Sequence, residues 1–179
     1  MLVFLDECFL LWGDVGGYAW GKRNARVAVA VGNYKQRQTF YGALDALSGE
    51  MHLATYPKAE SAATTDFLTE LMYRYPKAKL TICWDNAKWH TGEEVRAFLS
   101  RLNDGRPPEE WRITLFACAP NDPEQNPIEE VWRQAKTKLR QQRLEASKFS
   151  EVTDAFEASL ERQVFSFPKR QMYAPSQLA

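Results

Sequence analysis

The chain has 179 residues, with 23 lysines and arginines against 23 aspartates and glutamates, so its formal net charge is zero. That length fits one domain with a proper core, and 45% apolar and 13% aromatic content excludes a disordered or low-complexity chain. No apolar run approaches the roughly 20 residues of a membrane helix, and the start, with Asp6 and Glu7, lacks the basic region of a signal peptide. Cys8, Cys83 and Cys118 form no CxxC pair and leave one odd, which predicts reduced thiols in a cytoplasmic protein. Electroneutrality by itself argues against a nucleic-acid binder, which is usually basic.

In chain order, Leu2–Leu5 is apolar without alternation and ends on Asp6, which predicts a central strand buried on both faces. Two β-rich stretches follow, Arg26–Val31 and Gln38–Ala46, and a turn at Ser48-Gly49 leads into Glu50–Tyr56 as antiparallel pairing. Phe67, Leu68, Leu71, Met72 and Tyr75 recur at one-face spacing, predicting a helix from about Ala63 to Tyr75, stopped by Pro76. Leu80–Trp84 is a second apolar strand terminated by an aspartate, Asp85, and a helix from about Thr91 to Leu102 follows it. After the loop Asn103–Glu110, Ile113–Cys118 reads as another strand. The polar stretch Pro120–Gln125 then leads into the best-defined helix of the chain, and a weaker helix, about Glu151–Gln163, precedes a loosely held tail. The sum is a mixed α/β sheet covered by helices, a single domain over 1–165 with a C-terminal tail over 166–179.

Two strands that end on aspartate would put two anions where open α/β sheets collect ligands, and a divalent cation is the usual way to offset them. The plainer reading is that each aspartate caps a strand and starts a turn. A third acid enters at Asn126-Pro127-Ile128-Glu129-Glu130. Asn126 suits an N-cap, Pro127 the first helical position, and Glu129 the acid of a capping box. Ile128, Val131, Trp132, Ala135 and Leu139 form the apolar stripe. At about 100° per residue, Glu129 lies on its flank and Glu130 opposite it, so Glu129 is the acid that can reach a site at the sheet end. Arg133, Lys136, Arg140 and Arg143 follow Glu129 at steps of three and four, with no acid from 131 to 144, a row a phosphate backbone could follow. Lys22 and Arg23 open a second acid-free basic stretch. A solvated helix face is the competing explanation of the first row. His90 reads equally as a phosphate or carboxylate contact and as a satisfied hydrogen-bonder, His52 as structural, and the tryptophans as packing.

Phe4-Leu5-Asp6-Glu7, then Trp84-Asp85-Asn86-Ala87-Lys88-Trp89-His90, then Pro123-Glu124-Gln125-Asn126-Pro127-Ile128-Glu129 with Trp132, resembles the DDE endonuclease domain of mariner-type transposases. The closest branch is the bacterial insertion sequence 630 family, and Tyr41-Gly42-Ala43-Leu44-Asp45 adds to the match. The resemblance covers about residues 1–143. It implies a ribonuclease-H-like five-stranded sheet with flanking helices, and two Mg²⁺ or Mn²⁺ ions held by Asp6, Asp85 and Glu129, with Asn86, His90 and Asn126 beside them. It implies cleavage of DNA at terminal inverted repeats and strand transfer into a TA target. Family members carry helix-turn-helix modules before the catalytic domain, whereas Asp6 stands near the start here, so a separate DNA-binding half is expected, and a homodimer is open. The 43 residues between Asp85 and Glu129 exceed the family's usual spacing, and the loop Asn103–Glu110 accommodates the excess cheaply. The alternatives are a catalytically silent remnant acting as a DNA-binding or interaction module, and another ribonuclease-H-like nuclease.

Overall fold

The structure, a computed structural model, describes residues 1–16, 35–119, 125–142, 146–161 and 163–173. Arg26–Val31, Lys22, Arg23 and Arg143, read above as strand or basic residues, lie outside them.

The central strand is β1, Leu2–Leu11, an apolar run whose burial alternates only toward its end. The hairpin turn at Gly49, which takes φ 75°, joins β2 (Arg37–Asp45) to β3 (Met51–Tyr56). β2 runs antiparallel to β1 over its whole length, from Val3 opposite Asp45 to Leu11 opposite Arg37. On the other side β4 (Leu80–Trp84) lies parallel to β1, with β5 (Ile113–Ala117) parallel beyond it. The order β3-β2-β1-β4-β5 is a mixed five-stranded sheet.

Strand alternation sends successive side chains to opposite faces, and each face meets its own helices. Phe4, Cys8, Leu10, Phe40 and Leu44 pack with the apolar stripe of α3 (Ile128–Gln141) and with α4 (Phe149–Leu160). Val3, Leu5, Tyr41, Leu80, Ile82 and Trp84 pack with α1 (Ser61–Arg74) and α2 (Glu93–Asn103). This is the ribonuclease-H-like arrangement that the sequence predicts.

Two expectations change. β1 does not stop at Asp6: it continues to Leu11 because β2 keeps pairing with it, while its pairing with β4 covers only Leu2 to Phe4. The C-terminal segment is also anchored through residue 173. Phe165 and Phe167 are buried, and Phe165 N donates to Gly49 O at 2.8 Å. The short helix α5 (Pro168–Gln171) brings in Arg170, which is buried and donates from Nη1 to Ala46 O and Leu47 O at 2.9 and 2.8 Å. Among the described residues no helix is long and apolar enough to cross a membrane.

Candidate active site

The site begins where β1 outruns β4. Phe4 pairs with Cys83, so continuing the parallel register puts Asp6 level with Asp85, the residue after β4. Asp6 shares Phe4's face of the sheet, the one covered by α3. There it is buried, and Trp132 of α3 donates from Nε1 to its Oδ2 at 3.1 Å. The residue opposite Asp6 on β2 is Gly42, and a Cβ there would stand 2.6 Å from the six-membered ring of Trp132. Gly42 therefore makes the space in which the indole reaches the carboxylate.

Asn126 delivers α3 to this point. Its Nδ2 donates to Leu5 O at 3.1 Å, and its Oδ1 accepts from Ile128 N at 3.4 Å, so one buried amide ties the start of α3 to the residue before Asp6. The helix starts one residue later than expected, with Pro127 in the capping position. Glu129 makes no capping bond, so the capping-box reading of that acid is not realised.

The electrostatics tie the acids together. Burial pushes the Asp6 carboxyl well above the usual carboxylate range, and the negative charges of Glu129, Glu7 and Asp85 add to the shift. Glu129, although exposed at the surface, is raised as well, by partial desolvation at the site and then by Asp85, against Lys169 and Lys136. Asp85 goes the other way. Its Oδ1 lies 2.8 Å from His90 Nδ1 and accepts from Ala87 N at 2.9 Å, and the His90 bond leads in holding its pKa low. For His90, burial opposes the charge, but the bonds to Asp85 and Glu7 overcome it and carry its pKa to about 9.

Among the described residues no three acidic, histidine or cysteine side chains stand close enough to hold an ion as they are. Like charges keep carboxylates apart, and gathering them to a common ligation distance takes a cation. The donor set fits a hard divalent ion: it is all oxygen, and Asp6 is a buried carboxylate whose charged neighbours are other carboxylates. The cysteines do not form a rival soft-metal site. Cys8 is buried with its thiol pushed up to about 12 by burial, and none of the three forms a disulfide.

The remaining expected residues divide. Asn86 donates to Cys118 O at 2.9 Å, fixing the chain after β4 to the end of β5. The basic row is largely engaged within the molecule: Arg133 bonds Glu130, while Lys136 donates to Phe9 O at 3.0 Å and pairs with Asp14 Oδ2 at 3.2 Å. Arg140 also faces Asp14, at 3.8 Å. The acid-free run thus finds its acid on the turn after β1, a distant pairing that the helix sequence does not reveal. Arg133 and Lys136 still line a cleft of about 300 Å³ with Glu7, Glu129 and Trp132. The tryptophans are more than packing. Trp132 serves Asp6, and Trp89 donates from Nε1 to Glu7 Oε2 at 2.7 Å. Glu7, Gly42 and Trp132 are the neighbours of the acids whose roles were not assigned from sequence; all three fall inside the quoted motifs, which was the available signal.

A mixed five-stranded sheet with Asp6 inside its central strand and Asp85 just past the neighbouring parallel strand is the arrangement of ribonuclease-H-like cores. Residues 1–152 match the family model of the DDE superfamily endonucleases, and the chain belongs to that family. Its fold is similar to the Mos1 transposase in a paired-end complex with the left transposon end, at 16% identity and TM-score 0.64, covering 90% of this chain and 48% of that one. The Mos1 mariner paired-end complex with Mn is similar at 18% identity and TM-score 0.63, covering 91% and 48%. The catalytic core domain of BIV integrase matches at 16% identity and TM-score 0.53, covering 96% of this chain and 92% of that one. The chain thus spans about half the length of the Mos1 chains it matches. No curated protein matches it.

Proposed function

We propose that this chain is the catalytic domain of a mariner-type transposase of the insertion sequence 630 branch, cutting DNA at element ends and transferring the strands into a TA target. The observation that carries this reading is the placement of Asp6 level with Asp85, with Glu129 on the helix start that Asn126 ties to Leu5. Asp6, Asp85 and Glu129 are the residues that would hold two Mg²⁺ or Mn²⁺ ions. Bound there, such ions stabilise charge on the attacking and leaving oxygens of a phosphodiester exchange.

The chain's own residues do the rest. Trp132 and Gly42 fix the Asp6 carboxylate, His90 fixes Asp85, and the cleft beside Glu129 offers Arg133 and Lys136 to phosphate oxygens. For Lys136 that contact means exchanging Asp14 for a phosphate. Residues 1–165 form the catalytic unit, with the following segment strapped against it. Recognition of the terminal repeats falls to a helix-turn-helix part, in the same protein or a separate chain.

The test is nicking of DNA that carries the element's inverted repeats, with Mg²⁺ or Mn²⁺ added. Wild type should nick, and Asp85→Ala should be reduced about a hundred- to a thousandfold, the scale of losing a principal electrostatic element of a site. Equal nicking by the two proteins overturns the assignment.

A further inference from the structure

Glu7 follows Asp6 on β1, so strand alternation sends its side chain to the opposite face of the sheet. There the side chain is only 2% exposed, and a carboxylate so deeply buried needs partners on both oxygens. It has them: Oε2 accepts from Trp89 Nε1, and Oε1 lies 2.9 Å from His90 Nε2. His90, with its side chain fully buried, stacks flat on Trp84 at 4.5 Å and 1°, which fixes the plane of its ring. Its other nitrogen, Nδ1, lies 2.8 Å from Asp85 Oδ1 and also 3.2 Å from the backbone O of Asp85, so the ring holds both the side chain and the main chain of that residue. The same Oδ1 accepts from Ala87 N at 2.9 Å, while the carboxylate as a whole stays half exposed.

We propose that Glu7, acting through His90, is a positioning residue for Asp85: the buried line Glu7–His90–Asp85 pins Oδ1 and presents Oδ2 to a divalent cation. This rests on the reading of Asp85 as a metal ligand. Consecutive residues of β1 then serve both halves of the site. Asp6 supplies one ligand on the α3 face. Glu7, on the other face, ties down the turn that carries the second ligand through Trp89 and His90. The spacing between the two aspartates is thereby referred to a single strand. A carboxylate at position 7 accepts on both oxygens at once, which an amide cannot do.

The experiment is Mn²⁺ binding to the full chain, followed by the electron paramagnetic resonance signal of free Mn²⁺, with circular dichroism to establish folding. Partners that orient a metal ligand typically weigh about 10–100-fold in metal affinity. Asp85→Asn should lose binding, and Glu7→Gln and His90→Leu should each weaken it about 10-fold or more. His90→Asn, whose amide can still donate to Asp85 from near the Nδ1 position, should recover most of that loss. Glu7→Gln should cost nothing further in the His90→Asn background, because the line is already broken. A merely structural pair would not separate His90→Asn from His90→Leu in this way.

The proposal is overturned if Glu7→Gln binds Mn²⁺ as wild type does while Asp85→Asn does not. It is equally overturned if Glu7→Gln costs the same factor in both His90 backgrounds, or if His90→Leu tightens binding. Wild-type binding by Asp85→Asn is a different result: it removes the ligand reading itself, and the positioning role with it.

Discussion

Gly42→Ala isolates the contact that sets Asp6. Gly42 is not among the residues at positive φ, so alanine meets no backbone penalty there and the cost is steric. Its Cβ would stand 2.6 Å from Cη2 and Cζ2 of Trp132, and closer still to the end of the flexible Met51 side chain. Met51 can turn away. The indole cannot, since it lies between the sheet and Phe156, whose ring is 6.3 Å away and nearly parallel. Reaching the ~3.5 Å of an unstrained carbon contact moves the ring by roughly 1 Å. That displacement carries Nε1 away from Asp6 Oδ2, now 3.1 Å distant. Overpacking of this kind costs about 1–3 kcal/mol, and leaving a buried acceptor without its donor about 1–3. The two are alternative routes of relaxation rather than additive terms, so the expected loss is about 2 kcal/mol. With a urea slope of about 2 kcal/mol/M, the unfolding midpoint should fall by about 1 M. In a Trp132→Leu background the clash disappears, and Gly42→Ala should then cost less than about 0.5 kcal/mol. An equal cost in both backgrounds, or none in wild type, would show that the indole does not sit over Gly42.

Arg170→Met keeps the buried stem but withdraws the donor from Ala46 O and Leu47 O, so stability should fall by about 2–3 kcal/mol, read as a Tm lower by roughly 5–10 °C. A change under about 1 °C would mean that the C-terminal strap adds nothing to the domain. His52 stacks on Phe67 and its pKa is lowered, by burial first and against the pull of Glu70. The unfolded chain therefore takes up this proton at higher pH than the folded one, and stability falls as pH drops below about 6.5. His52→Gln should remove that component of acid sensitivity in urea titrations between pH 7 and 5, and identical pH profiles would refute it. Cys8, buried and with its thiol pushed up to about 12, should resist alkylation under native conditions while Cys83 and Cys118 react. Mass mapping after a timed iodoacetamide pulse decides the order.

The sequence made the sheet legible because its strands are short apolar runs set between turn residues, and the α3 stripe legible because five apolar residues repeat at helical spacing. The end of β1 is not legible in the sequence, because a polar pair inside an apolar run looks like a terminus. Only the partner strand, which pairs out to Leu11, shows that it is not. The three acids stood out by motif and by place. Their attendants did not: Glu7 reads as one more charge near a strand end until Trp89 and His90, more than 80 positions away, are brought to it. The partners of the basic row were hidden for the same reason in reverse, since the acid that engages Lys136 and Arg140 lies on the turn after β1, over 120 residues earlier. Helix periodicity reports which face a residue takes and nothing about what that face meets.

Strand length explains why the acids gather where they do. β1 is ten residues long, but β4 follows it only to Phe4, so beyond that point one edge of the central strand has lost its ladder partner. Leu2 O accepts from Ala46 N on the β2 side, and alternation turns Leu5 O to the opposite, open side. A buried carbonyl there must be satisfied, and the Asn126 amide does it. The unpaired edge therefore recruits the start of α3, and with it Glu129, to the level of Asp6. On the same open side β4 gives way to Asp85. One mismatch in strand length thus supplies both the gap and the need that fills it. Asn126→Leu should consequently do more than weaken a helix start. It strands Leu5 O, costs about 1–3 kcal/mol of stability, and loosens Glu129 from Asp6. If Asn126→Leu unfolds at the wild-type urea midpoint, the open edge of β1 is not what holds α3 in place.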